Sequence, residues 1–305
     1  MKLKFLDDFV KSQPDPFMCE IEGGWVMYVT GVEGMDAYFC DTPMGPWEYK
    51  GRVFSMEGYQ EYWAPCMYYE NGWYYLYFSC DNLDPNDFQE YLHVTKSHSP
   101  FGPFEGTKRL FQCFSIDPHV VKTDAGLFLW YCLNREDGER IGTRIFVQKM
   151  SDPETPVGEP VEKVAPSFNE EIFMRDRYED GQHWHTIEGA FWLQVDGWQY
   201  VMYSGACYMN DTYHIGYCSA KTTEPDLRKV NYIKHTNSGS FDPLMTKNAV
   251  EEGVGHHSVI CWQGQYYAVY HARDFQPDER LTGDQRTARI CKLHFNEGVI
   301  TAEQM

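Results

Sequence analysis

Residues 185–204 set the pattern for the whole chain. An apolar run (Ile187, Ala190, Phe191, Trp192, Leu193, Val195) stops at Asp196-Gly197, and a second run follows (Trp198, Tyr200, Val201, Met202, Tyr203). Asp-Gly between two such runs predicts a β-hairpin, because Gly tolerates the positive φ that the tight turn needs. One charged residue interrupts the first run, Glu188, followed by Gly189. A lone carboxylate in a strand is ordinarily a solvated strand end. The recurrence of the hairpin gives it another meaning.

The same second strand, opened by a turn Gly, occurs five times: 24–30, 72–79, 126–132, 197–204 and 264–271. The glycines lie 48, 54, 71 and 67 residues apart, a period suited to four-stranded propeller blades with variable loops. A third short strand follows several copies (38–40, 92–95, 215–218). Two copies then turn through Gly-Pro-aromatic, at Gly45-Pro46-Trp47 and Gly102-Pro103-Phe104. A β-sandwich is the rival architecture, but sandwiches seldom repeat sequence at a fixed period. Helical periodicity is scarce, so the expected fold is all-β, a five-bladed β-propeller over residues 1–305. A polar insertion at 166–182 falls between blades three and four and is expected on the tunnel rim. Residues 289–295 finish blade five, and the N-terminal segment is a candidate to fasten the ring.

Counting back ten residues from the residue after each turn Gly gives Asp15, Trp63, Asp117 and Glu188; the fifth copy gives His256 at nine. Equivalent stations on radially arranged strands converge on the axis. Three carboxylates from distant parts of the chain should therefore share one pocket, with a Trp and a His beside them.

Charge and composition narrow the partners. A formal charge of −19 repels phosphate backbones, which argues against nucleic acid. No run of about 18 apolar residues is present to cross a membrane, and the N-terminus lacks an apolar core of signal-peptide length. The ten cysteines are scattered through strand-like runs with no Cys-x-x-Cys, which points to a reducing compartment and a cytoplasmic location. His256-His257 is no metal motif by itself, and no zinc spacing occurs.

Two carboxylates flanking a bond are the minimal apparatus for glycoside hydrolysis: one protonated, to protonate the leaving oxygen, the other ionised. Crowded together away from water, their pKa values separate, and a third carboxylate can hold the acid's value high. Glu188, among Ile187, Ala190 and Phe191, has the setting expected to stay protonated. Asp15, between Pro14 and Pro16, has a stiff backbone.

Pro14-Asp15-Pro16, Trp63-Ala64-Pro65, Ile116-Asp117-Pro118-His119, Ile187-Glu188-Gly189-Ala190 and Gly255-His256-His257-Ser258 together resemble the motif set of glycoside hydrolase family 43. The resemblance runs in order along nearly the whole chain, one motif per blade. It implies a five-bladed propeller and hydrolysis with inversion. By motif, Asp15 would be the general base, Glu188 the general acid and Asp117 the residue that tunes and orients the acid. Trp63 would be a sugar platform and Arg286 a sugar contact. His256 would sit at the tunnel centre, where relatives often hold a water or a calcium ion; no cofactor is otherwise required. Ala190 departs from the family, which usually has Pro there.

The family further implies an oligosaccharide substrate containing arabinose or xylose. The first expectation is an exo-acting α-L-arabinofuranosidase on short oligosaccharides, then a β-D-xylosidase, then an endo-arabinanase. The insertion at 166–182 is a candidate wall closing one side of the pocket. A glycoside phosphorylase would need a phosphate site, for which Arg175 and Arg177 are candidates. A non-catalytic sugar-binding propeller is the reading from another class.

Overall fold

The computed structural model describes residues 1–6, 12–87, 89–275 and 285–304. The chain folds as a five-bladed β-propeller, each blade four antiparallel strands taken in sequence order outward from the axis. Blade one is Phe17–Ile21, Gly24–Val29, Met35–Cys40 and Glu48–Phe54; blade two is Gln60–Glu70, Trp73–Asp81, Tyr91–Ser97 and Glu105–Arg109. Blade three is Ile116–Thr123, Gly126–Arg135, Gly142–Asp152 and Thr155–Val164. Blade four is Trp184–Val195, Trp198–Gly205, His214–Lys221 and Ile233–Lys234; blade five is Glu251–Trp262, Gln265–Asp274, Thr287–Asn296 and Val299–Ala302. Among the described residues no helix is long and apolar enough to cross a membrane.

Each blade is covered on both faces by its neighbours, which is why the second strands read as unbroken apolar runs rather than alternating ones. In blade three, Leu127 through Cys132 are consecutively buried. The buried side chains fall into clusters that each lie at one blade junction: Val26, Tyr28 and Phe78 between blades one and two, for instance, and Trp130, Val201 and Tyr203 between three and four. Leu3, Trp25, Trp47 and Ile290 close the ring between five and one. The N-terminal residues secure that junction with main-chain bonds: Ile290 N–H donates to Met1 O, Leu3 N–H to Ala288 O, and Trp47 N–H to Lys4 O. The repeated Gly-Pro-aromatic turn has one geometry in both copies, a left-handed Gly before a cis proline.

Blades three and four are also joined directly. Gly142 and Thr143 pair in parallel with His185 and Thr186. Only Gly permits this approach, since a Cβ on residue 142 would sit 1.8 Å from the His185 carbonyl oxygen. The insertion at 166–182 packs beside this join. It forms a short turn of helix (Asn169–Glu171) and a strand (Ile172–Met174) on the edge of blade four. Its polar character hides a buried anchor: the Glu171 carboxylate accepts from the N–H groups of Ser167 and Phe168 and from Lys234 Nζ at 2.7 Å.

Candidate active site

The innermost strands of blades two to five each carry a bulge near the axis that holds a left-handed residue, Ala64 (φ 50°), Asp117 (φ 59°), Gly189 (φ 61°) and His256 (φ 43°), and in blade one Asp15 (φ 52°) takes the same conformation just before the inner strand begins. The bulge re-aims side chains out of the sheet and into the tunnel mouth. The five sequence stations are therefore not one register. Asp15, Asp117 and His256 are the left-handed residues themselves, whereas Trp63 and Glu188 each stand one residue before theirs. Four non-glycine residues hold this costly conformation, and such strain collects where function demands a particular side-chain direction.

These left-handed positions are tied together by side chains at or near the C-terminal ends of the second strands. Thr30 Oγ1 accepts the N–H of Ala64 at 2.8 Å, Ser204 Oγ accepts that of His256 at 2.7 Å, and His271 Nδ1 accepts that of Asp15 at 3.1 Å. Each of these reaches from one blade to the next. Cys132 occupies the same place in blade three, with Sγ 4.0 Å from Asp117 Oδ2.

Above the bulges lies a cavity of about 360 Å³. Asp15, Asp117 and Glu188 share it, with Trp63, His256 and Arg286, so all six residues singled out from sequence line one pocket. A second cavity of about 20 Å³ lies along the tunnel beneath, among His119, His256 and His257. Among the described residues, no three His, Cys, Asp or Glu side chains converge as metal ligands would. Calcium takes six to eight oxygens, and this imidazole-rich lining does not by itself provide them.

The two halves of the pocket treat a carboxylate differently. Asp15 Oδ1 lies 3.2 Å from Arg286 Nη1, 3.2 Å from His271 Nδ1 and 3.5 Å from His256 Nδ1, and its Oδ2 accepts from Thr30 Oγ1 at 2.5 Å. Burial by itself pushes Asp15 upward, but His256, Arg286 and His271 outweigh it and hold the carboxyl well below the usual range. Burial pushes both imidazoles down, His271 to about 4, so Arg286 carries the permanent charge at neutral pH. Glu188 faces the opposite balance. Burial raises it to about 7, Asp15 adds to the rise, and the Tyr213 hydroxyl, donating to Oε1 at 2.6 Å, opposes it. Asp117 is raised well above its ordinary value by burial and by Glu188 and Asp15, and its Oδ2 accepts the Gly189 N–H at 2.9 Å. One carboxylate is thus kept ionised and another protonated within one cavity.

The family model for glycosyl hydrolases family 43 matches residues 11–300. The chain belongs to this family. A curated relative, the extracellular exo-α-(1→5)-L-arabinofuranosidase ArbA of Cellvibrio japonicus, is 27% identical over 308 residues, covering 92% of this chain and 83% of the relative. A thermostable family-43 glycoside hydrolase of solved structure has a TM-score of 0.79 at 26% identity, with 96% and 93% of the two chains covered. A structure titled endo-1,4-β-xylanase, from Bacteroides thetaiotaomicron, has a TM-score of 0.77 at 22% identity over 96% and 95%, a likeness of fold alone. The chain is therefore a glycoside hydrolase, and its relatives differ in the sugar named. The Cellvibrio relative is described as extracellular, so the comparison lends no support to the cytoplasmic expectation.

Several residues of this family 43 hydrolase's pocket escaped the sequence reading. Thr30 and His271 had a signal: the five repeat copies close on Thr30, Ser79, Cys132, Ser204 and His271, and three of these, Thr30, Ser204 and His271, accept a main-chain N–H from the next blade. Glu61 (accepting from Trp63 Nε1 at 3.0 Å) stands in the inner strand of blade two, two residues before Trp63, whereas Tyr208 and Tyr213 sit in a loop without repeat equivalents. Residues 166–182 do not line the pocket, so the insertion is not the wall it was expected to be. Arg175 and Arg177 go with it; Arg177 lies over the Trp184 ring at 4.4 Å.

Proposed function

We propose that the enzyme is an inverting exo-α-L-arabinofuranosidase that releases terminal residues from short arabino- or arabinoxylo-oligosaccharides. The observation that carries this reading is the opposed protonation of Asp15 and Glu188 within one cavity. Asp15, held ionised, takes a proton from water as it attacks the anomeric carbon. Glu188, protonated into the neutral range, gives its proton to the departing glycosidic oxygen. Asp117, raised by burial, Glu188 and Asp15, accepts the Gly189 N–H and so fixes the turn beside the acid. Trp63 offers a ring face for the sugar, and Arg286 keeps Asp15 ionised. The choice of arabinofuranose follows the Cellvibrio relative's described activity. A β-D-xylosidase with the same machinery is the second reading.

Hydrolysis is favoured over phosphorolysis by charge. Asp15, Asp36, Glu61, Asp117 and Glu188 all line the cavity, with Arg286 as its arginine. A phosphate dianion entering such a site is repelled. Assaying 4-nitrophenyl α-L-arabinofuranoside beside 4-nitrophenyl β-D-xylopyranoside, with and without phosphate, tests the proposal. Faster arabinoside turnover, independent of phosphate, is expected. Preference for the xyloside moves the assignment to the second reading, and a phosphate requirement overturns hydrolysis.

A further inference from the structure

The segment between the second and third strands of blade four, residues 206–213, brings two tyrosines into the lining of the pocket. Tyr208 lies under the Arg286 guanidinium at 4.6 Å. Tyr213 is fully buried, and its hydroxyl donates to Glu188 Oε1 at 2.6 Å. Blade five fixes the segment: Arg273 donates to Tyr208 O at 2.7 Å and to Asn210 O at 3.0 Å. The Tyr213 ring also lies parallel to His271, the imidazole that accepts the Asp15 N–H. Gly255 leaves the space for it, since a Cβ there would stand 1.9 Å from Tyr213 Cε1. So much construction around one hydroxyl goes beyond filling a core.

We propose that Tyr213 is the positioning residue of the acid: by donating to Oε1 it leaves the transferable proton on Oε2 and fixes the carboxyl's orientation. The inference rests on Glu188 being the acid. A phenol needs an acceptor when buried, and Tyr213 is pushed far above its ordinary pKa by burial and by Glu188, so it stays a donor. The bond strengthens when Glu188 ionises, and it therefore restrains how far burial raises the acid. The other groups facing Glu188 are Asp15, Asp117 and Arg286, with the thiols of Cys132 and Cys207, which burial keeps protonated. Loss of the hydroxyl should raise the acid's pKa, by about one unit for one charge-assisted hydrogen bond.

The test is a carbon-13 NMR titration of the Glu188 carboxyl in wild type and Tyr213→Phe, with Glu188→Gln identifying the signal. No substrate is needed, so the outcome is separable from the assignment of activity. Expected is an upward shift of about one pH unit in Tyr213→Phe, with the alkaline limb of kcat/KM moving by the same amount. Gly255→Ala, which displaces the ring, should shift Glu188 the same way. Tyr232→Phe removes a buried hydroxyl bonded to Trp192 and Gln199 in the same blade and should leave Glu188 unmoved. An unchanged or lowered Glu188 pKa in Tyr213→Phe overturns the inference even if the enzyme hydrolyses arabinosides as proposed. Equal shifts in Tyr213→Phe and Tyr232→Phe also overturn it, since that is a generic packing effect. Undiminished hydrolysis by Glu188→Gln overturns the underlying reading instead.

Discussion

The Asp15 side and the Glu188 side of the pocket stand at matching places at the axial ends of their blades, both largely withdrawn from water, yet they hold carboxyls of opposite proton affinity. The difference lies in what the neighbouring strand ends supply. Around Asp15 stand an arginine, two imidazoles and a hydroxyl. Around Glu188 stand two other carboxyls and one phenol, with Arg286 a weaker influence. Burial raises every carboxyl, and the local partner decides whether that rise survives. Propeller symmetry therefore provides convergence, and departures from it at Thr30, His271 and Tyr213 provide the chemistry.

The comparison breaks hardest at the two carboxyls. Asp15→Asn is expected to cut kcat/KM on an arabino-oligosaccharide about 10³-fold or more, whatever the leaving group. Glu188→Gln should lose as much on the oligosaccharide but far less on the 4-nitrophenyl glycoside, whose phenolate needs little protonation. Comparing the two variants on the two substrates checks this. Equal sensitivity of both variants to leaving group would mean that the roles are not divided between the two sides as argued.

The pH profile sharpens the same contrast. Activity needs Asp15 ionised and Glu188 protonated. With Asp15 well below the carboxylate range and Glu188 at about 7, kcat/KM should hold level through mildly acidic pH and fall as pH rises through about 7. In Thr30→Val, which removes a hydroxyl bonded to Asp15, the acid limb should move upward while the alkaline limb stays. Profiles of wild type and variant in one buffer series provide the measurement.

Much of this contrast was written in the repeat. The turn glycines gave the number of blades, and the residues near each inner bulge gave Asp15, Asp117 and Glu188, because a repeated strand carries its side chains to repeated places. Even the bulge was hinted at by Asp-Pro, Ala-Pro and Asp-Pro in three blades, although its left-handed residue shifts Trp63 and Glu188 one place from strict equivalence. Tyr208 and Tyr213 were illegible for the opposite reason. They arrive from non-repeated segments whose direction is set by tertiary contacts such as Arg273 with Tyr208 O, and no local periodicity encodes those. The insertion at 166–182 misled through composition: its polar residues suggested a pocket wall, whereas none of them lines the pocket and Glu171 is a buried anchor.

Stability offers the smallest and most discriminating effect. Asp15 has a depressed pKa, so its stabilisation is present above the unfolded value of an ordinary Asp and is lost only as pH falls through the folded one. Replacing it with Asn leaves Arg286 buried without its carboxylate, and a loss of about 3 kcal/mol at pH 7 is expected. Glu188 has a raised pKa, so the folded protein holds a proton that the unfolded chain releases between about 4.5 and 7. Stability from this group falls as pH rises through that interval and levels off above it. Glu188→Gln removes the cost, and the variant should be the more stable one at pH 8, by on the order of 1–2 kcal/mol. At pH 4.5, where wild-type Glu188 is already protonated, the advantage should vanish. Urea midpoints of the three proteins at the two pH values measure this. A Glu188→Gln variant less stable than wild type at pH 8 would place the ionised carboxylate among the fold's favourable interactions, and the two sides of the pocket would then be alike in energy as well as in backbone.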